Sequence, residues 1–138
     1  MGVMGKPRVL IVDDEASYRR AVSDILERSQ LEVRYAADAL EAMEVLRSWQ
    51  FDVLLLDVMM PGVSGLALLR RLRGDSKWKD LPVVIVSALA EKQDQDAGEA
   101  AGARAYLTKP FGSSELRRVL RQFIPVIGTA ELEAGDVE

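Results

Sequence analysis

A chain of 138 residues with 49% hydrophobic and 29% charged residues has the size and balance of one ordinary globular domain, with room for a core but not for two. It contains no Cys and no His, which excludes disulfides, thiolate sites and imidazole as base or metal ligand, and leaves oxygens, amines and backbone for any chemistry. The net charge of -4 belongs to the C-terminal end: Glu131, Glu133, Asp136 and Glu138 lie there without Lys or Arg, and setting these four aside from 22 acids leaves 18 against 18 bases. A balanced body gives no electrostatic case for direct contact with nucleic acid. No apolar run approaches bilayer length and no basic-then-apolar leader opens the chain, so no membrane contact is expected and the cytoplasm is the expected location.

Residues 1–7 are expected to form a flexible leader, 8–125 the folded domain, and 126–138 an acidic tail or the start of a linker. Arg8 to Val12 predicts a first strand, an apolar run ending in Asp13-Asp14-Glu15. A helix follows from about Ala16 to Ser29, with Ala21, Val22, Ile25 and Leu26 at helical spacing. Leu31 to Tyr35 alternates apolar and charged residues, the pattern of an edge strand with one wet face. Asp38 and Glu41 read as a capping box for a second helix whose inward face is Ala42, Val45, Leu46 and Trp49.

The stretch DVLLLDVMMPG, from Asp52 to Gly62, holds a continuous apolar run that delivers one carboxylate, Asp57, and then a Pro-Gly turn signal. Such a run between breakers fits a strand buried on both faces of a parallel sheet. Ser64 then starts a helix carrying Leu66, Leu69 and Leu72 that stops near Gly74. Pro82 to Val86 is a fourth strand ending in Ser87. From Glu91 to Ala101 the helical pattern is weak, because the apolar positions are mostly Ala and Gly98 interrupts them. Gly102 caps that helix and Ala103 to Leu107 is a fifth strand. After the tight Thr108 to Gly112 loop, Ser113 caps a last helix with Leu116, Val119, Leu120 and Phe123 inward and Arg117, Arg118 and Arg121 outward; Pro125 ends it.

Five strands alternating with five helices imply an α/β fold, a doubly wound parallel sheet covered on both faces, and in such folds ligands gather at the carboxyl ends of the strands. Asp13 and Asp14 end strand one, Asp57 ends strand three, Ser87 ends strand four and Lys109 follows strand five. Each has a purely structural alternative. The Asp pair can cap a helix, Asp57 can open a turn, Ser87 can be a cap, Lys109 can be a solvated loop residue before a cis or trans Pro110, and Tyr106 can be sheet packing. These alternatives do not predict that acid, acid, hydroxyl and lysine end successive strands on one rim. Three clustered carboxylates call for a divalent cation or a raised pKa, and an all-oxygen set points to magnesium. An ammonium and a hydroxyl facing a metal-bound carboxylate supply what a transferring phosphoryl group needs, so the implied chemistry is phosphorylation of an Asp.

With these residues in view, the chain resembles the receiver domain of bacterial two-component response regulators, the CheY-like superfamily. The resemblance covers about Arg8 to Ile124 and rests on VDD at 12–14, LLLDVMMPG at 54–62, VSA at 86–88 and YLTKPF at 106–111. It implies a flavodoxin-like (βα)5 fold with strand order 2-1-3-4-5. By position it implies that Asp57 is the phosphoacceptor, served by a sensor histidine kinase, a phosphotransfer protein or a small phosphodonor. Asp14, Asp57 and the backbone carbonyl of Met59 would hold Mg2+ (or Mn2+), with Asp13 acting through water. Ser87, Ala88 and Lys109 would bind the phosphoryl group, Ser87 being a permitted variant of the commoner Thr, and Ser87 with Tyr106 would form the switch. Pro110 is a candidate cis-Pro.

Met59 and Leu89, at positions that in this family influence attack by water, are both apolar, so a persistent phosphoryl group is expected. The implied role is a signalling switch with intrinsic autophosphorylation and autodephosphorylation chemistry, acting on a downstream effector protein or an output domain absent from this chain, with a possible phosphorylation-dependent homodimer through the last two helices. The alternative is a receiver-like protein-binding module regulated without phosphorylation. A haloacid-dehalogenase-like phosphatase would carry a second Asp where Met59 stands.

Overall fold

The computed structural model describes residues 5–60 and 62–124. The expectations for residues 1–4, Pro61 and everything from Pro125 onward, the acidic tail included, lie outside the described residues. Strands and helices alternate as β1 (Arg8–Val12), α1 (Ala16–Arg28), β2 (Glu32–Ala36), α2 (Ala39–Ser48), β3 (Val53–Leu56), α3 (Gly65–Arg73), β4 (Val83–Ser87), α4 (Lys92–Ala101), β5 (Ala105–Thr108) and α5 (Ser113–Leu120). The five strands form one parallel sheet in the order β2-β1-β3-β4-β5.

The continuous apolar runs of the sequence are the three inner strands. Val53 to Leu56 are all buried, as are Val9 to Val12 and Val83 to Ser87. Alternate residues of each run face opposite layers. Leu10, Val12, Leu54, Leu56, Val83 and Ile85 meet α2 and α3, while Val9, Ile11, Val53, Leu55, Val84 and Val86 meet α1 and α5. Burying a Leu side chain contributes roughly 1.5–3 kcal/mol, so Leu68, Leu69 and Leu72 fasten α3 firmly. α4 buries only Gly98 and Ala101. Its attachment comes partly from a neighbour: Arg73 of α3 donates from Nε and Nη2 to the Gly102 carbonyl at 3.0 and 2.7 Å, and from Nη1 to the Trp78 carbonyl at 3.1 Å.

Several local expectations differ from what is observed. Arg117 is not outward but buried, with Nε donating to Ser29 Oγ at the end of α1 across 3.0 Å. Trp49 is not part of the inward face of α2; it is 39% exposed, and the guanidinium groups of Arg8 and Arg34 lie over its ring at 4.8 and 4.5 Å. The helix has ended by that point, because Trp49 is its extended C-cap, and Met43 takes the inward place. Ala21 is exposed whereas Ser23 is buried, and Leu68 lies deeper than Leu66. Ser113 does not cap α5, since Gly112 is the N-cap and Ser113 the first helical residue. The Asp38 cap holds, accepting from Glu41 N at 2.8 Å, but the returning Glu41 carboxylate accepts from Ala37 N rather than from Asp38.

Candidate functional site on the carboxyl rim of the sheet

The rim is assembled by strand ends. Asp13 follows β1 and its amide still donates to the Ala36 carbonyl, while Asp57 follows β3 with its amide on the Val12 carbonyl at 2.9 Å. Both carboxylates are therefore fixed by the sheet that precedes them. Asp13 is 2% exposed and Asp57 7%, whereas Asp14 points to solvent. One carboxylate oxygen from each of Asp13, Asp14 and Asp57 falls within 4.8 Å of the others.

Lys109, carried over the cleft from the end of β5, donates from Nζ to Asp13 Oδ2 at 3.0 Å and lies 3.4 Å from Asp57 Oδ2. The Lys109–Pro110 peptide is cis. Asp57 Oδ1 accepts from the Met59 amide at 2.9 Å. Burial pushes the Asp57 carboxyl above the usual carboxylate range, and neither the Met59 N–H nor the Lys109 charge, opposed in turn by Asp13, brings it back. For Lys109 burial opposes the charge, yet bonding to Asp13 and the fields of Asp13 and Asp57 prevail and raise its pKa. The ammonium is closer to Asp13 than to Asp57. Three carboxylates cluster where one ammonium pairs with two of them, and every donor is an oxygen, so the set fits a hard divalent cation of the magnesium type.

Ser87 is fully buried at the end of β4, and its Oγ accepts from the Leu89 amide at 3.1 Å. Tyr106 lies partly buried beside Gly98 and donates its hydroxyl to the Leu89 carbonyl at 2.6 Å. The two residues expected to act as a switch thus meet at the two polar groups of one residue, Leu89, in the loop before α4. Ala88 is exposed between them, and Met59 exposes 55% of its surface beside the cleft.

Three contributors escaped the sequence reading. Gly65, the first residue of α3, sits against the Asp57 backbone so closely that a Cβ would lie 2.5 Å from the Asp57 carbonyl oxygen. Arg19 donates to the Asp13 carbonyl at 2.7 Å. Tyr18 places its ring under Lys109. Only Gly65 had a local signal, a glycine directly after the Ser64 cap.

The strand order and the furnished carboxyl rim define the class, a flavodoxin-like domain of the CheY-like kind. Chemotaxis protein CheY4 of Vibrio cholerae superposes with a TM-score of 0.82 at 33% identity, covering 86% of this chain and 99% of that one. The receiver domain of sensor histidine kinase PA1611 from Pseudomonas aeruginosa, solved with a magnesium ion in its active site cleft, gives 0.80 at 26% identity over 88% of this chain and 99% of that one. The family model described as response regulator receiver domain matches residues 9–121. The chain belongs to that family, the receiver domains of two-component response regulators. Among curated proteins it is 37% identical to the phosphate regulon transcriptional regulatory protein PhoB of Pseudomonas aeruginosa, across 92% of this chain and 57% of PhoB. It is 36% identical to the DNA-binding dual master transcriptional regulator RpaA of a Synechocystis strain, across 86% of this chain and 49% of RpaA. The chain thus spans about half the length of these relatives.

Proposed function

We propose that this receiver domain is a phosphorylation-controlled switch in which Asp57 accepts a phosphoryl group from a phosphohistidine of a sensor kinase or phosphotransfer protein, or from a small phosphodonor. The observation that carries the reading is the Lys109 ammonium held between Asp13 and Asp57 at the cleft mouth. An Asp57 carboxylate oxygen attacks phosphorus, the P–N bond to the donor imidazole breaks with its electron pair staying on nitrogen, and an acyl phosphate forms. Lys109 neutralises charge on the transferring oxygens, and the Met59 amide keeps the other Asp57 oxygen in place. Asp14, Asp57 and the Met59 carbonyl would hold Mg2+ or Mn2+, with Asp13 reaching it through water. When bound, the ion supplies further charge neutralisation at the phosphoryl oxygens.

The readout follows from Leu89. When Ser87 Oγ turns to a phosphoryl oxygen it gives up the Leu89 amide, and the loop tied to Tyr106 and α4 is free to change partner contacts. The surface so altered is that of α4, β5 and α5, where an effector, an output domain or a second copy would bind.

Intact-mass measurement after incubation with acetyl phosphate and magnesium tests the proposal. Wild type is expected to gain one phosphoryl mass and Asp57→Asn none. No gain in wild type leaves the alternative, a binding module regulated without phosphoryl transfer.

A further inference from the structure

Two aromatic residues, Tyr18 and Phe111, line the cleft beside Asp13 and Asp57. Tyr18 sits in the first turn of α1, and Lys109 Nζ lies 3.9 Å from the centre of its ring. Phe111, two residues after Lys109, meets that ring edge-on, with centroids 6.0 Å apart and planes at 86°. The ring is thus fixed on one side by Phe111 and offers its face to the ammonium. Its hydroxyl is buried with no hydrogen-bond partner among the described residues, and Tyr18 lines a small cavity with Asp13, Asp57 and Val86. Burial and the nearby Asp13, Asp57 and Glu15 charges push the phenol well above its usual range, so the ring stays neutral beside the carboxylates.

We infer that Tyr18 is a positioning residue for phosphoryl transfer: its ring face holds the Lys109 ammonium over the gap between Asp13 and Asp57. A lysine has a long flexible stem, and the carboxylates alone do not centre it, since Asp13 at 3.0 Å draws it away from Asp57 at 3.4 Å. A desolvated aromatic face adds a third attraction from beneath, which fixes the height of the charge above the rim. The ring is the working part and the hydroxyl is not. This inference rests on the phosphoacceptor reading of Asp57, but the contact itself is open to a separate test.

The test uses the full chain with Tyr18→Phe, Tyr18→Leu and Tyr18→Met. In 1H-13C spectra of the unphosphorylated protein, the Lys109 ε-methylene protons are expected upfield in wild type and Tyr18→Phe, and near ordinary lysine positions in the Leu and Met variants. Under acetyl phosphate and magnesium, the aliphatic variants are expected to be phosphorylated on the order of tenfold more slowly, with Tyr18→Phe restoring most of the rate. A Lys109→Met background is expected to abolish the difference between Tyr and Leu. Absence of the upfield shift in wild type overturns the inference whether or not the variants fold. Phosphorylation of a folded aliphatic variant at the wild-type rate, or a Tyr18→Phe variant as slow as Tyr18→Leu, also overturns it. A wild-type protein that shows the shift but takes no phosphoryl group refutes the function proposed for Asp57 and leaves the contact standing.

Discussion

Asp57 holds a charge that its surroundings only partly accommodate. Burial raises its carboxyl above the value it has in an unfolded chain. Folding therefore favours the protonated form, and the folded state carries no penalty below the unfolded pKa. The penalty grows as pH rises through the unfolded and then the folded value, and stays constant above both. Asp57→Asn removes it. Without divalent metal, the variant is expected to be more stable than wild type at pH 7, with the gain vanishing below about pH 4, near the unfolded carboxyl's pKa. Urea unfolding in EDTA at the two pH values checks this, and a variant less stable at pH 7 would show that the pairing with Lys109 dominates instead. If Asp57 is phosphorylated as proposed, its apolar neighbours would bear on how long the phosphoryl group lasts. Met59 and Leu89 expose 55% and 38% of their surfaces beside the cleft and offer no hydrogen bond to an attacking water. The acyl phosphate is expected to persist for minutes once the donor is removed, and decay within seconds by intact mass would contradict it.

At the scale of elements, two glycines tie helices to the site. A Cβ on Gly65 would lie 2.5 Å from the Asp57 carbonyl oxygen and 2.6 Å from Val58 Cα, both backbone atoms that cannot move aside. Gly65→Ala is expected to lower stability by about 2 kcal/mol and to slow phosphorylation, because α3 must shift against the Asp57 turn. A Cβ on Gly98 would meet side chains rather than backbone, Ile85 Cδ1 at 2.6 Å and the Tyr106 ring at 3.4 and 3.5 Å. Gly98→Ala is expected to lose about 1 kcal/mol, since the clash exceeds the gain in helix propensity, and adding Ile85→Val is expected to recover most of that loss. Thermal or urea unfolding of the single and double variants decides. The inner strands and the ends of β1, β3 and β4 were legible in the sequence because a run of apolar residues stopped by Asp or Ser is a local pattern. Arg117 was not legible, because its burial depends on Ser29 of α1, 88 positions away in the chain. Tyr18 was missed for the same reason: nothing near it in sequence announces Lys109 or Phe111.

For the whole molecule, the relevant surface is the one shared by α4 and α5. Glu91, Asp96 and Glu99 are exposed on α4 and its cap, and Arg118 is exposed on α5. With Arg117 buried, fewer positive charges face outward than the helical spacing suggested, so a symmetric pairing of these faces would lean on Arg118 and the partly exposed Arg121. If the pairing forms, light scattering is expected to report twice the mass when a phosphoryl mimic and magnesium are added, and Arg118→Glu to prevent it. An unchanged mass rules that pairing out and leaves contact with an effector or an output domain as the reading. The relatives that are about twice as long keep such an output within reach of the proposal.

The three bonds from Arg73 bear on how α4 would move. They anchor its C-terminal cap at Gly102 to α3 and to the Trp78 carbonyl, while the other end is joined to the sheet through Leu89 and Tyr106. Ten residues of helix make a rod about 15 Å long. Released at one end and fixed at the other, such a rod would swing about a fulcrum, with displacement greatest at Glu91 and least at Ala101. A partner sensitive to the state of Asp57 would gain most by touching the first turn of α4, and cutting the anchor with Arg73→Ala would turn a directed swing into a loose one.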